Sequence, residues 1–503
     1  MEGLSHVECG GPRFFLWFCM QDCGKRFDGV LKYPPVMPIK KILPVAFALL
    51  AAAVFADSAP KYVFLFIGDG MSTPQRMVAE EFSIAIGEGA LAMNRMPYQA
   101  NTRTKSASSI ITDSAAAATA IACGVKANNR ALGVGPDGAR LESVAEVAKK
   151  SGRKVGIVTT VTIIHATPAG FYAHRAQRGL TYQIALDLVA SGFDYFAGGG
   201  VAGKHDDKKD PEYRGNVFDI AKTAGYQVVN DRAGWAALKP GTKSWACFSS
   251  SAMDFSIDSD GSQPALAELV EKGIELLDCD KGFFMMCEGG KVDYAGHAND
   301  AATNVRDILA LDKAVKVALK FAEKHPKDTL VIVTGDHETG GMSLGFAGTG
   351  GKFKVELLAG QKCSVERFSS AIKKMLRDDV NLKFDAVMPL ITEKFGLVFT
   401  DDRSNPMRVR TAEMKILKDA FEQDREFVKK QVADTTAHDV GRRYVFASAV
   451  RGVLAAHAGI GWSSGSHTAL PTLTTAQGAS ADIIVGMQEN SDIGIRLKKL
   501  YAE

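Results

Sequence analysis

The chain reads as an α/β protein: a central, mostly parallel sheet flanked by helices on both faces, with a helical cap inserted late in the sequence. Three observations predict this. Runs at 62–67, 153–160, 283–287 and 329–333 are predominantly apolar and rich in β-branched and aromatic residues, the pattern of strands buried on both faces. The stretch 299–324 sets Val305, Ile308, Leu309, Leu311, Val315 and Leu319 at the spacing of an amphipathic helix laid over a sheet. Between 345 and 461 the pattern changes to longer helical periodicity with mixed charge, as at 411–432, and Gly-rich stretches at 347–351 and 459–465 bracket it.

Bulk composition limits what the chain does. Its 503 residues, 46% hydrophobic and 23% charged, suit one large domain with an addition and exclude disorder. The net charge of +3 is well mixed and no long Lys/Arg run occurs, which argues against nucleic acid or an anionic membrane as partner. Partners are expected to be small molecules, drawn by a local site rather than a global field. Lys40 and Lys41, the apolar stretch 42–56 and the small-x-small ending Val54-Phe55-Ala56 have the grammar of a secretory signal over 37–56. That stretch is too short to span a bilayer comfortably, so export without a stable membrane anchor is expected. Residues 1–36 then read as an upstream extension, most simply explained by a true start at Met37. The expected division is a catalytic domain from 57–344 and 462–503, interrupted by a cap at 345–461. Beyond the signal, the cysteines are Cys123, Cys247, Cys279, Cys287 and Cys363, an odd number with no CxxC pair. This is neither a disulfide scaffold nor a thiolate zinc site.

Taken in order, each buried run hands a chemically capable residue to its carboxyl end, where open α/β sheets bind ligands. The run 62–67 ends in Gly68-Asp69-Gly70, an aspartate between glycines that allow close backbone approach. Asp113 and Ser114 precede four alanines, a helix start where free N–H groups and the dipole attract an anion. Taken alone that window is an ordinary cap. The run 153–160 delivers His165 and Thr167, the latter able to ligate a hard cation, and His174, Arg175 and Arg178 follow. An arginine that reaches phosphate does so bidentately. A further strand is expected at 193–196, running into a glycine loop, and 204–210 is a solvated charged stretch. The run 283–287 ends in Glu288, followed by Asp293 and His297; acid and imidazole packed so closely are costly unless hydrated or coordinating. The run 329–333 leads to Asp336 and His337 between glycines. After the insert, Ser466-His467-Thr468 opens the last core segment, ahead of a strand-like stretch at 483–485.

The ordered set Asp69, Ser114, Thr167, Arg178, Glu288, Asp293, His297, Asp336, His337 and His467 resembles the alkaline phosphatase family over nearly the whole exported chain apart from parts of the insert. The resemblance implies two zinc ions and one magnesium. Asp293, His297 and His467 would hold one zinc, and Asp69, Asp336 and His337 the other. Asp69, Thr167 and Glu288 would hold magnesium, with His165 beside it. Ser114 matches the nucleophile and Arg178, rather than Arg175, the phosphate-clamping arginine. The implied activity is hydrolysis of small-molecule phosphate monoesters through a phosphoserine intermediate, by an exported, periplasmic or secreted enzyme; a homodimer is expected by resemblance alone. Two positions depart from familiar members: His165 stands where well-known bacterial relatives place Asp and animal ones His, and Tyr294 where Lys or His is usual. The imidazole suggests a third site that prefers zinc or holds magnesium weakly. The competing readings are a phosphodiesterase of the same superfamily and a zinc-binding relative without turnover.

Overall fold

A computed structural model describes residues 59–433 and 445–502; the expected signal at 37–56 and the extension before it lie outside them. Strand β1 (Tyr62–Gly68) is the axis of the fold, and every one of its residues is buried. Strict alternation sends Phe64 and Phe66 to one face and Val63, Leu65 and Ile67 to the other. Each face therefore needs its own apolar cover. The helices Thr73–Ala85, Leu266–Leu277 and Ala301–Lys324 supply it on the Phe64 face, and Ser114–Cys123, Val144–Lys150, Thr181–Ser191 and Asn490–Ala502 on the other.

The remaining sheet strands are β2 (Tyr98–Arg103), β3 (Lys154–Thr162), β4 (Tyr195–Gly199), β5 (Gln227–Val229), β6 (Ser244–Cys247), β7 (Phe283–Gly289) and β8 (Thr329–Gly335). Two short ribbons follow: β9 (Glu338–Thr339) with β12 (His467–Thr468), and β10 (Met342–Leu344) with β11 (Ile460–Trp462). Strands β13 (Thr472–Gly478) and β14 (Gly486–Glu489) complete a ten-stranded sheet in the order β14-β2-β13-β8-β1-β7-β3-β4-β6-β5. Only β13 runs against its neighbours. The mostly parallel α/β class is as the sequence predicts. Register sets the consequence for function: Gly68 pairs with Gly289 on one side and Gly335 on the other, so three strands end at one level.

Two sequence expectations need correction. The expected strand at 483–485 is instead a 3₁₀ turn, Ala481–Ile483, and the strand starts at Gly486. Ile484 is fully buried as a plug while Val485 is half exposed, and Gly486 has φ +74, outside the extended region. The expected strand at 193–196 begins two residues later, at Tyr195. Strand β13, TLTTAQG, escaped hydropathy because it is built from threonines. Their hydroxyls are buried and paired: Thr474 Oγ1 lies 2.6 Å from Thr102 Oγ1 and 2.7 Å from Thr334 Oγ1, and Thr472 donates to Gly335 O.

The segment 345–461 carries the helices Val365–Asp378, Met388–Phe395, Thr411–Ala433 and Val445–Ala458. Its apolar residues, Phe368, Phe395, Phe421 and Phe446 among them, pack with those of the Phe64 face of the sheet. Among the described residues the five later cysteines are all unpaired, and no helix is long and apolar enough to cross a membrane.

The helix Ser114–Cys123 is buried along its whole length, which its alanines permit. It ends at Gly124 in the left-handed conformation and lies hard against the helix Asn490–Ala502 at Gly494. A Cβ on Gly494 would sit 2.6 Å from both Gly124 N and Ile121 O. Gly494→Ala should therefore force the two helices apart and lower stability by about 1–3 kcal/mol in denaturant unfolding.

Candidate active site

Ser114 is the first residue of its helix and 2% exposed. Asp113 caps the helix: its Oδ1 accepts from Ala116 N at 3.1 Å and from Arg130 N at 2.9 Å. Its other oxygen accepts from Arg178 Nη1 at 3.1 Å, and the same nitrogen reaches Ser114 Oγ at 3.4 Å. The cap thus serves a second purpose, holding a guanidinium beside the hydroxyl. Arg175 points elsewhere, to Asp187 and Glu212. Arg178 Nη2 also donates to His165 Nε2 at 3.1 Å.

The level strand ends deliver acids to one rim. Asp69, Glu288 and Asp336 are fully buried and Asp293 is 3% exposed. Gly70, at φ +72, brings the backbone in so tightly that a Cβ there would meet Thr339 Oγ1 at 2.7 Å. Its N–H donates to Asp336 Oδ1 at 3.1 Å. Asp293 and His297 stand four residues apart on one face of the short helix Lys291–His297, with His297 Nε2 3.4 Å from Asp293 Oδ2. The β9–β12 ribbon brings His467 to the same place, its Nε2 3.7 Å from Asp293 Oδ1. The His337 and His467 rings stack with centroids 3.7 Å apart.

The imidazole tautomers follow from their outer bonds. His297 Nδ1 faces Gly465 O at 2.8 Å and His467 Nδ1 faces Thr112 O at 2.9 Å. A carbonyl only accepts, so each Nδ1 carries a proton, and Nε2, on the Asp293 side, is the nitrogen left for a metal ion. His337 Nδ1 faces Thr339 Oγ1 at 3.3 Å, and that hydroxyl donates onward to Asp293 Oδ1 at 2.6 Å. His337 Nε2 then lies 3.2 Å from Ser114 Oγ and 3.3 Å from both Asp69 Oδ1 and Asp336 Oδ2. Burial, helped by His467, Arg178 and His297, holds the His337 pKa well below its usual value, so the ring is neutral.

A third group forms around Asp69 and Glu288. His165 Nδ1 is 3.7 Å from Asp69 Oδ2 and from Glu288 Oε1, and Thr167 Oγ1 donates to Asp69 Oδ2 at 3.3 Å. Tyr294 packs edge-on against His165, with centroids 6.0 Å apart, and burial raises its phenol pKa, keeping it neutral. Asp69, Ser114, His165, Thr167, Arg178, Glu288, Asp293, His297, Asp336, His337 and His467 thus come together at this rim, whereas Arg175 pairs with Asp187 and Glu212 and His174 with Glu146. Sequence reasoning missed Thr159, whose hydroxyl donates to Glu288 Oε2, and Thr339, whose hydroxyl links His337 to Asp293. The one available signal was position: Thr159 ends a buried run, and Thr339 follows the Asp-His pair.

The electrostatics call for cations. Burial, then the charges of Asp336, Asp293 and Glu288, push the Asp69 pKa far up. Burial likewise raises Asp336, with Asp293 and Glu288 adding to it against the pull of the Gly70 N–H. Asp69 Oδ1, Asp336 Oδ2, Glu288 Oε1 and His165 Nδ1 are buried without a hydrogen bond. Such groups are costly unless something positive satisfies them. Three sets have ligand atoms within 4.8 Å of one another: Asp293, His297 and His467; Asp69, Asp293 and His337; and Asp69, His165 and Glu288. The donor chemistry fits metal ions.

Known proteins resemble this chain in sequence and in fold. Residues 60–502 match the family model for alkaline phosphatase. Alkaline phosphatase 3 of Bacillus subtilis is 28% identical over 485 residues, covering 92% of this chain and 96% of that protein. A cold-active alkaline phosphatase from a psychrophilic Shewanella superimposes with a TM-score of 0.73 at 25% identity, over 88% of this chain and all of that one. The alkaline phosphatase of the Antarctic bacterium TAB5, in a mutant with aspartate replacing a histidine, matches with a TM-score of 0.61 at 26% identity, over 88% of this chain and 99% of that one, and holds magnesium. With the family model matched over residues 60–502, the chain belongs to the alkaline phosphatase family.

Proposed function

We propose that this enzyme hydrolyses phosphate monoesters through a phosphoserine on Ser114, at a centre of two zinc ions and a third cation. The observation that carries the reading is the surroundings of one hydroxyl. Ser114 Oγ sits at a helix N-terminus, 3.2 Å from a neutral imidazole nitrogen and 3.4 Å from Arg178, beside buried carboxylate oxygens with no partner. Asp293, His297 and His467 would hold one zinc, and Asp69, Asp336 and His337 the other; mixed imidazole and carboxylate sets suit that ion. Asp69, Thr167 and Glu288 form an oxygen set suited to magnesium, with His165 available to shift the preference toward zinc. Bound cations would lower the pKa of the serine hydroxyl and neutralise charge on the departing oxygen.

The chain's own groups do the rest. Arg178 grips two non-bridging phosphate oxygens, and Asp113 keeps the guanidinium aimed. The first-turn amides of the helix add a positive field at the same point. Ser114 Oγ gives up its proton and forms its bond to phosphorus as the ester P–O bond breaks, and the departing oxygen keeps that electron pair and takes up a proton to leave as the alcohol. Water then attacks the phosphoserine, releasing phosphate and restoring the serine.

The insert is read as a cap over this rim. The β10–β11 ribbon ties its two ends together, and a cavity of about 640 Å³ opens beside His297. Tyr294 and His297 line it from the sheet side, and Val365, Ser369 and Ala447 from the insert. The departing alcohol would occupy this space. Export rests on the 37–56 pattern alone.

The test is phosphate release from an aryl phosphate by zinc-loaded protein, with a matched diester for comparison; a diester preference contradicts the reading and favours a phosphodiesterase. Ser114→Ala should lower kcat by at least about 10³-fold. Arg178→Ala should cost about 10- to 100-fold in kcat/KM for the monoester. Asp336→Asn should change sign with metal: it should raise the melting temperature of chelator-treated protein, by removing an uncompensated buried charge, and lower it in saturating zinc. His165→Asp should make activity of the zinc-loaded enzyme rise on adding magnesium more steeply than in the parent protein.

A further inference from the structure

Glu338 follows His337 directly, is fully buried, and belongs to none of the three candidate cation groups. Its carboxylate nonetheless collects donors from three separate parts of the chain. Oε1 accepts from Gln75 Nε2 on the helix Thr73–Ala85 and from Met342 N at 3.2 Å. Oε2 accepts from Gly341 N at 3.0 Å and from Thr468 Oγ1. Gln75 is itself fixed, its Nε2 also donating to Thr339 O at 3.1 Å and its Oε1 accepting from Ser72 N at 3.2 Å.

Both oxygens thus take two donors each, which uses the full accepting capacity of a carboxylate. All four donors are neutral, so the charge is held by convergent dipoles rather than by a counter-ion. A glutamine of the same size could not replace it, because its amide would present N–H groups to two of these donors. The position demands an acceptor on both oxygens. What the four bonds join is informative: the Asp336–His337 loop, the helix Thr73–Ala85, the ribbon strand start at Gly341–Met342, and β12. Strand β12 pairs Thr468 with Glu338 and His467 with Thr339.

We propose that Glu338 is a positioning residue that fixes His467 relative to His337, and through them the spacing between the two zinc half-sites. This rests on the metal reading of the rim given above. Residues bonded directly to metal ligands commonly change metal affinity by about 10- to 100-fold when altered, and Glu338 acts one residue further out, as the chain neighbour of His337 and through Thr468, the chain neighbour of His467.

The experiment uses the full-length protein with Glu338→Gln and, separately, Thr468→Val. Zinc affinity is read by competition with a chromophoric chelator, and ligand geometry by the visible absorption of the cobalt(II)-substituted protein. Both are measured at a temperature where circular dichroism shows native structure. Glu338→Gln should weaken zinc binding by about 10-fold or more and alter the cobalt spectrum, and Thr468→Val should do the same to a lesser degree. A role in stability alone would lower the melting temperature and leave affinity and spectrum of the folded protein unchanged. That result in Glu338→Gln overturns the proposal. If Glu338→Gln does not yield folded protein, Thr468→Val decides: an altered spectrum with at least threefold weaker zinc supports it, and parental values overturn it. Cobalt and zinc binding by the parent protein separates this outcome from failure of the metal reading, which would show as no binding by either.

Discussion

Four carboxylates held out of water within one rim are the constraint on which the rest of this structure depends. Asp69, Glu288, Asp293 and Asp336 repel one another, and the Arg178 guanidinium only partly offsets the charge at Asp69. A protein tolerates this only where the charges are used, because uncompensated buried anions oppose folding. Much of the surrounding architecture serves to keep them there. The level ends of β1, β7 and β8 bring three of the acids to the same height, and the glycines at those ends let the loops approach.

The serine gains its meaning from the same arrangement. A fully buried alanine helix has no chemistry of its own, and its value is rigidity: it presents one hydroxyl at a fixed point, braced at its far end by the Gly494 contact. Asp113 satisfies the helix start and aims Arg178 with its two oxygens. Carbonyl partners on His297 and His467 fix each Nδ1 as a donor, so Nε2 is the nitrogen turned inward. Preorganisation of this kind lowers the reorganisation needed during reaction.

How much of this was legible in the sequence depended on whether the signal was local. Asp69, Glu288 and Asp336 stood out because an acid at the end of an apolar run is conspicuous, and Asp293 with His297 because acid and imidazole stand so close together behind such a run. Ser114 was indistinguishable from a cap until those acids were placed. Strand β13 was invisible to hydropathy, since its burial is satisfied by threonine hydroxyl pairs rather than by apolar side chains. Ile483 to Val485 misled for the opposite reason: three apolar residues in a row formed a turn and a plug. Thr159, Thr339 and Glu338 act through partners 129, 46 and up to 263 residues away, and no window of sequence displays such pairs.

The central claim is that Ser114 becomes covalently phosphorylated during turnover. The most direct measurement is acid quenching of the zinc-loaded enzyme during steady-state hydrolysis, followed by mass spectrometry of the peptide containing Ser114. The account predicts a phosphoryl group on Ser114 that disappears once substrate is exhausted. Continued turnover with Ser114 unmodified, or phosphate found on another residue, would contradict it.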